Sequence, residues 1–220
     1  FKKTNETDLN HKDKEIDKNK TLKVVKDRKN FFKNPEIKKW PIIKSDDLNE
    51  NPIFLVGFNR SGTTLLDNIL RSHPSIEIIE EEPIVGNFIT SLSEIIGNNF
   101  QKLKNIDEIN LKRFRKIYFD NKERYINNKD NTKIYIDKMP LNIIHVAEIV
   151  RIFPNAKFIV TLRHPYDCVL SCFMQNFKLN NTNANFLDLE DAANFYNSVM
   201  SLWTQYKNNF SINYHIIKYE

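Results

Sequence analysis

The chain has 220 residues, enough for one sizeable core but short for two. Its formal charge of +5 would suit an anionic partner, yet residues 1–50 hold 14 Lys+Arg against 10 Asp+Glu, so +4 of it sits there. The nearly neutral remainder excludes a general nucleic-acid binder, and no run of about 18 or more apolar residues offers a membrane span.

Residues 1–50 are expected to form a polar N-terminal arm or linker. Residues 1–30 are strongly polar with few apolar anchors and read as a solvated tail. "FFKNPEIKKWPII" (Phe31–Ile43) carries aromatic and aliphatic anchors between prolines and is expected to pack as an arm. The main domain, residues 51–220, begins near Asn51. "IFLV" (Ile53–Val56) reads as a strand buried on both faces. A helix follows over Thr63–Ser72, then a strand at Ile76–Ile79. Residues 84–128 are mostly helical with a break around "GNNF". "KIYID" (Lys133–Asp137) is the third strand, Asn142–Phe153 a helix, and "KFIVTL" (Lys157–Leu162) the fourth strand. A helix over Pro165–Phe177 starts on a proline, whose missing N–H would be unpaired there anyway. A long helix over Leu187–Tyr206 and a last strand in "HIIKY" complete the pattern, with Phe195, Trp203 and Tyr206 as core. Strands alternating with helices predict an α/β fold, a three-layer sandwich whose central parallel sheet is flanked by helices. The chain opens on Phe1 and ends on strand-like "NYHIIKYE", which reads as cut at both ends.

The chemistry concentrates at strand ends. In "VGFNRSGTTLL", Gly57 and Gly62 have the spacing of a P-loop, G-x-x-x-x-G-K-[ST], but Thr63 stands where the lysine belongs. Backbone N–H groups and the positive end of the following helix would still surround an anion there. Arg60, Ser61, Thr63 and Thr64 add side-chain donors. A second anion subsite is offered by "TLRHPYDCVLSCF", with Arg163 at a strand end and Ser171 eight residues on. Glu81, after the second strand, and Lys138, after the third, would stand at the carboxyl edge of the sheet, where open α/β folds bind ligands. Glu81 is the candidate base, with Glu80 in reserve, and three adjacent carboxylates (Glu80–Glu82) are expected to raise one another's pKa. Cys168 and Cys172, four apart, do not close a zinc site and read as buried residues in a reducing compartment, which suggests a cytoplasmic protein. His73 reads as a turn residue and His164 as a local helix cap.

These stretches resemble, in order, sulfotransferases that use 3′-phosphoadenosine 5′-phosphosulfate (PAPS), over about Pro52–Glu220. "RSGTT" is similar above all to the loop of tyrosylprotein sulfotransferases and of bacterial tetratricopeptide-linked sulfotransferases, with Asn59 where proline is usual. The resemblance implies a P-loop NTPase-like fold and PAPS as co-substrate, with PAP as product and no metal. It implies a 5′-phosphosulfate site at Arg60, Ser61, Gly62, Thr63 and Thr64, and a 3′-phosphate site at Arg163 and Ser171. It further implies Glu81 as base, with Lys138 and Arg60 as the catalytic cations. PAPS lacks a γ-phosphate, which makes sense of the absent lysine. The acceptor would carry a hydroxyl, best a tyrosine in a peptide or protein. "IIKYE" resembles the family's last strand, which precedes a section that finishes the cofactor pocket, so this chain alone is expected to turn over weakly. Two other readings stay open. One is a P-loop ATP- or GTP-dependent kinase or NTPase, with Asp137 of "IYID" as its magnesium acid. The other is a non-catalytic nucleotide-binding scaffold.

Overall fold

Five short apolar runs pair into one parallel sheet: β1 (Ile53–Gly57), β2 (Ile76–Glu80), β3 (Ile134–Lys138), β4 (Lys157–Leu162) and β5 (Asn213–Lys218), in the order β2-β3-β1-β4-β5. The computed structural model describes residues 16–41, 43, 51–97, 99–126 and 130–220. The solvated-tail reading of residues 1–15 lies outside these. In register, Phe54 stands between Asp137 and Phe158, and Leu55 between Lys138 and Ile159. Because side chains alternate along a strand, neighbouring residues such as Asp137 and Lys138 serve opposite faces.

The helices are α1 (Lys18–Phe32), α2 (Thr63–Arg71), α3 (Ile84–Ile96), α4 (Glu108–Arg124), α5 (Val146–Ile152), α6 (Pro165–Met174) and α7 (Leu189–Asn209). One sheet face meets α2, whose Leu66 and Leu70 pack on Leu55, Ile78 and Ile136. The other face carries the main core, where Phe54, Val56, Phe158 and Val160 meet Phe88, Tyr118, Phe153, Phe195 and Tyr206. Asp107 and Asp188 start α4 and α7 by accepting first-turn N–H bonds, as short polar caps do. The helix expected over Asn142–Phe153 is a 3-10 segment, Pro140–His145, leading into α5, because Pro140 opens it in a tight turn.

The N-terminal stretch departs most from its sequence reading. Residues 18–32 are a packed helix, with Val25 and Phe32 fully buried. Of their apolar side chains, Leu22, Val25, Phe31 and Phe32 pack into the core while Val24 is exposed, and the helix lies on α7. Lys18 pairs with Asp191, and Phe32 meets Tyr206 edge-on at 5.2 Å. The helix also buries a charge: Arg28, 7% exposed, binds Glu148 at 2.6 Å. Burial alone would raise the Glu148 pKa, but the guanidinium overrides it and holds the carboxyl at about 2. Arg28→Ala therefore leaves a buried carboxylate unpaired, and urea unfolding is expected to show a loss of about 3–5 kcal/mol.

Candidate active site

Loops after β1 and β4 leave the sheet in opposite directions, so a crevice opens between these adjacent strands at their carboxyl ends. A cavity of 630 Å³ fills it, lined by Arg60, Gly62, Thr63, Thr64, Glu81 and Arg163, among others. Its size is that of a pocket for a small ligand or cofactor.

The β1–α2 turn is built for close backbone approach. Gly62 has φ +98°, which only glycine adopts freely, and a Cβ there would run into the Tyr219 ring. Gly62 caps α2 with no side-chain hydrogen bond, so the first N–H groups of the helix remain available to an anion. Ser61 serves the turn itself: its hydroxyl donates to the Phe58 carbonyl at 2.6 Å, lies 2.7 Å from Thr161 Oγ1, and is buried. It does not line the cavity. Thr63 and Thr64 do.

Arg60 reaches across the crevice to α6, where Nε donates to Ser171 Oγ at 3.0 Å. Arg163 Nη1 lies 3.5 Å from the Arg60 carbonyl, and its Nε is buried with no hydrogen-bond partner. Ser171 thus meets Arg60 rather than Arg163 and lies outside the cavity lining, while Asp167 Oδ2 is 3.9 Å from Arg163 Nε, and the two arginines form one cationic group. Tyr219, just past β5, closes it: its ring packs on Gly62 and lies 4.9 Å from the Arg163 guanidinium. The two thiols of α6 underpin both loops, Cys172 Sγ at 3.5 Å from the Asn59 carbonyl and Cys168 Sγ at 3.9 Å from that of Arg163. Burial pushes them up to about 12 and about 11, so they stay protonated and inert, as expected of buried cysteines.

At the other end of the cavity Glu81 sits on the strand edge, with φ 54° and its N–H donating to the Lys138 carbonyl at 2.7 Å. Arg60 and Glu81 are the two non-glycine residues at positive φ among the described residues. Such strain persists where the surroundings over-determine it and concentrates at functional sites. Lys138 is the last residue of β3 rather than the first after it, and its side chain is wholly covered. Its Nζ bonds Glu81 at 2.9 Å and Glu80 at 3.0 Å and lies 3.8 Å from Asp67. Arg71 ties Asp67 to Glu80 from outside. Burial opposes the charge of Lys138, but hydrogen bonds to Glu81 and Glu80 outweigh it and raise the pKa. Glu80 does not show the rise expected from neighbouring carboxylates. Glu80 is pulled below the usual carboxylate range by its hydrogen bond from Lys138, a cation the local sequence does not show beside it.

Asp137 turns the other way. Its carboxylate faces α4, accepts from Tyr118 at 3.4 Å, and borders a separate cavity of 440 Å³. It does not line the loop cavity, which removes the magnesium acid that the kinase reading required. Burial raises its pKa to about 7. Between the unfolded value, near 4, and 7 the folded protein holds the extra proton, so stability falls as pH rises through that window. Asp137→Asn is expected to stabilise the protein at pH 7.5 by about 3–4 kcal/mol. In urea melts this gain should vanish by pH 4.

His73 works as a turn residue, its Nδ1 accepting from the Ser75 N–H at 3.2 Å. His164 occupies the N-cap of α6, but its ring makes no cap bond. Tyr219, Asn180, Thr182 and Asn183 line the cavity without having been singled out in the sequence. They come from distant segments, and only the "IIKYE" stretch around Tyr219 carried any hint. Among the described residues no cluster of metal-ligating side chains and no helix long and apolar enough to cross a membrane is found.

An uncharacterized protein of Aquifex aeolicus is 33% identical over 136 residues, 59% of this chain, and the match spans 18% of that protein's length. A sulfotransferase from Alicyclobacillus acidocaldarius superposes with TM-score 0.49 at 19% identity, over 78% of this chain and 74% of that one. Sulfotransferase STF9 from Mycobacterium avium gives 0.34 at 14%, over 67% and 50%. The sequence profile of the sulfotransferase family matches residues 52–220, the whole of the sheet and its crevice, and the chain belongs to that family.

Proposed function

We propose that the chain transfers sulfonate from PAPS to an acceptor hydroxyl, with Glu81 as base and a tyrosine side chain as acceptor. The observation that carries this reading is that Glu81, the Gly62–Thr64 turn and Arg163 border one cavity, with Lys138 bonded to Glu81. The residues suit the co-substrate. First-turn N–H groups of α2 with Thr63 and Thr64 fit a phosphosulfate, and Arg163, whose Nε has no hydrogen bond and faces Asp167 at 3.9 Å, fits a second, separate phosphate, with Ser171 joining it once released by Arg60. Bound PAPS would supply an activated sulfonate.

The chain's own groups then divide the work. Glu81 accepts the proton of the attacking hydroxyl, and its contact with Lys138 Nζ holds the side chain in place beforehand. A phenol, with pKa about 10, is an acceptor that a carboxylate can help to deprotonate. Lys138 Nζ, shared among carboxylates at rest, balances negative charge at the leaving oxygen once Glu81 turns to the acceptor. Arg60 holds the far side of the cavity through Ser171.

The test is incubation of the protein with radiolabelled PAPS, EDTA and a panel of peptide, glycan and phenol acceptors, with PAP affinity measured by calorimetry in parallel. Label transfer without metal, to tyrosine peptides first, is expected. Magnesium-dependent ATP turnover with no affinity for PAP would refute it.

A further inference from the structure

The 440 Å³ cavity at Asp137 lies between β3 and the C-terminal half of α4, and among the described residues it shares no lining with the loop cavity. Ile79, Phe119, Ile126 and Tyr135 wall it, and it opens to solvent past Asn131. Asp137 is 2% exposed, yet its Oδ1 has no hydrogen-bond partner among the described residues. Its Oδ2 has the Tyr118 hydroxyl at 3.4 Å, long for such a bond. Both oxygens are therefore open to a donor from a bound molecule. Native proteins rarely leave a buried polar atom unsatisfied, and acids perturbed by burial in a cavity concentrate at functional sites.

The surrounding charges decide the ligand class. Lys122 Nζ lies 5.4 Å from the Phe119 ring centre and 5.3 Å from that of Tyr135, and its charge also reaches Asp137. Lys133, on the rim, pairs with Glu77 at 2.9 Å, and Glu123 stands exposed. A cationic ligand would meet Lys122, and an anionic one would lie against the buried Asp137. A neutral ligand avoids both costs. Aromatic and aliphatic walls favour a flat ring, and the bare carboxyl asks that ring for N–H donors.

We propose that this cavity binds a neutral nitrogen heterocycle whose edge carries two neighbouring N–H donors, as in guanine and isocytosine, with both oxygens of Asp137 accepting from it. Such an edge sets a ring N–H beside an exocyclic amino group, one donor for each carboxylate oxygen. An adenine-type edge would instead turn a ring-nitrogen lone pair toward one of those oxygens and leave it unpaired. The inference does not rest on the sulfonate-transfer reading.

The test is calorimetric titration of the protein with isocytosine and guanosine, against adenosine and benzylamine, at about pH 8, where Asp137 is ionised. Wild type should bind isocytosine or guanosine at least about tenfold more tightly than adenosine. Binding of isocytosine alone assigns the free base, and binding of both admits the nucleoside. Asp137→Asn, which relieves a buried charge and so can fold, should weaken isocytosine at least about tenfold. It should bring adenosine level or above, because an amide offers one donor and one acceptor. Ile126→Trp, at a half-buried wall position, should fill the cavity and abolish binding, with circular dichroism confirming the fold. No binding of isocytosine or guanosine, equal affinity for adenosine, or an unchanged preference in Asp137→Asn overturns the proposal. Tighter binding of benzylamine overturns the ligand class. Displacement of isocytosine by PAP would place it in the loop cavity and overturns the site.

Discussion

Glu81→Gln is expected to lower kcat by about 10²- to 10⁴-fold, the range for a lost general base, with PAP affinity unchanged. Glutamine is isosteric, so its side-chain oxygen still accepts from Lys138 Nζ, and it demands no new backbone freedom at φ 54°. What it cannot do is take a proton. Glu80→Gln is the control, since Glu80 also binds Lys138 but lies outside the cavity lining and is tied to Arg71. Its effect should be at least tenfold smaller. Single-turnover transfer from PAPS to a tyrosine peptide separates the two. If Glu81→Gln keeps wild-type kcat, Glu81 is not the base.

Lys138→Met is expected to cost both activity and stability, because the proposed mechanism gives the lysine a part in the chemistry and its ion pairs give it one in the fold. Methionine preserves the buried stem and removes the charge. If Lys138 balances the leaving oxygen as proposed, its loss should lower kcat about 10²- to 10³-fold. Stability should fall as well, but not by the full amount for a broken buried pair. The side chains of Glu80 and Glu81 are 49% and 54% exposed and can rehydrate, whereas Asp67, at 2%, keeps only Arg71. A loss of about 2–3 kcal/mol in urea melts follows. Without the hydrogen bond from Lys138, the Glu80 carboxyl should also titrate higher, which carbon-detected NMR would report. A variant with a lowered kcat but an unmoved Glu80 titration would show that Lys138 does not organise this acidic run.

Much of the sheet was legible because parallel strands buried on both faces are written as unbroken apolar runs. "IFLV" and "KFIVTL" fall within a residue of β1 and β4. Turns carried local signatures too, since Gly62 sits where only glycine fits without strain. α1 was misread because its apolar content is low, and only its neighbour α7 turns Val25 and Phe32 into core. Composition cannot weigh a short apolar stripe against a partner that begins only at Leu189. Position 138 was legible as a strand-end lysine. Its three carboxylate neighbours were not, because they come from α2 and the end of β2. Ser61 read as a ligand donor, but its hydroxyl is spent inside the turn, a matter of rotamer rather than motif.

By itself the sequence determined an alternating α/β chain, a glycine turn without its lysine, and a set of polar side chains at strand ends. These are local properties, set by periodicity and by φ preferences within a few residues. The tertiary structure alone decided that Arg60 reaches Ser171, that Lys138 lies beneath Glu81, that Asp137 turns to the opposite face, and that Tyr219 closes over Gly62. Each depends on which strands become neighbours and in what register. One residue of shift along β3 would exchange Asp137 for Lys138 at the crevice.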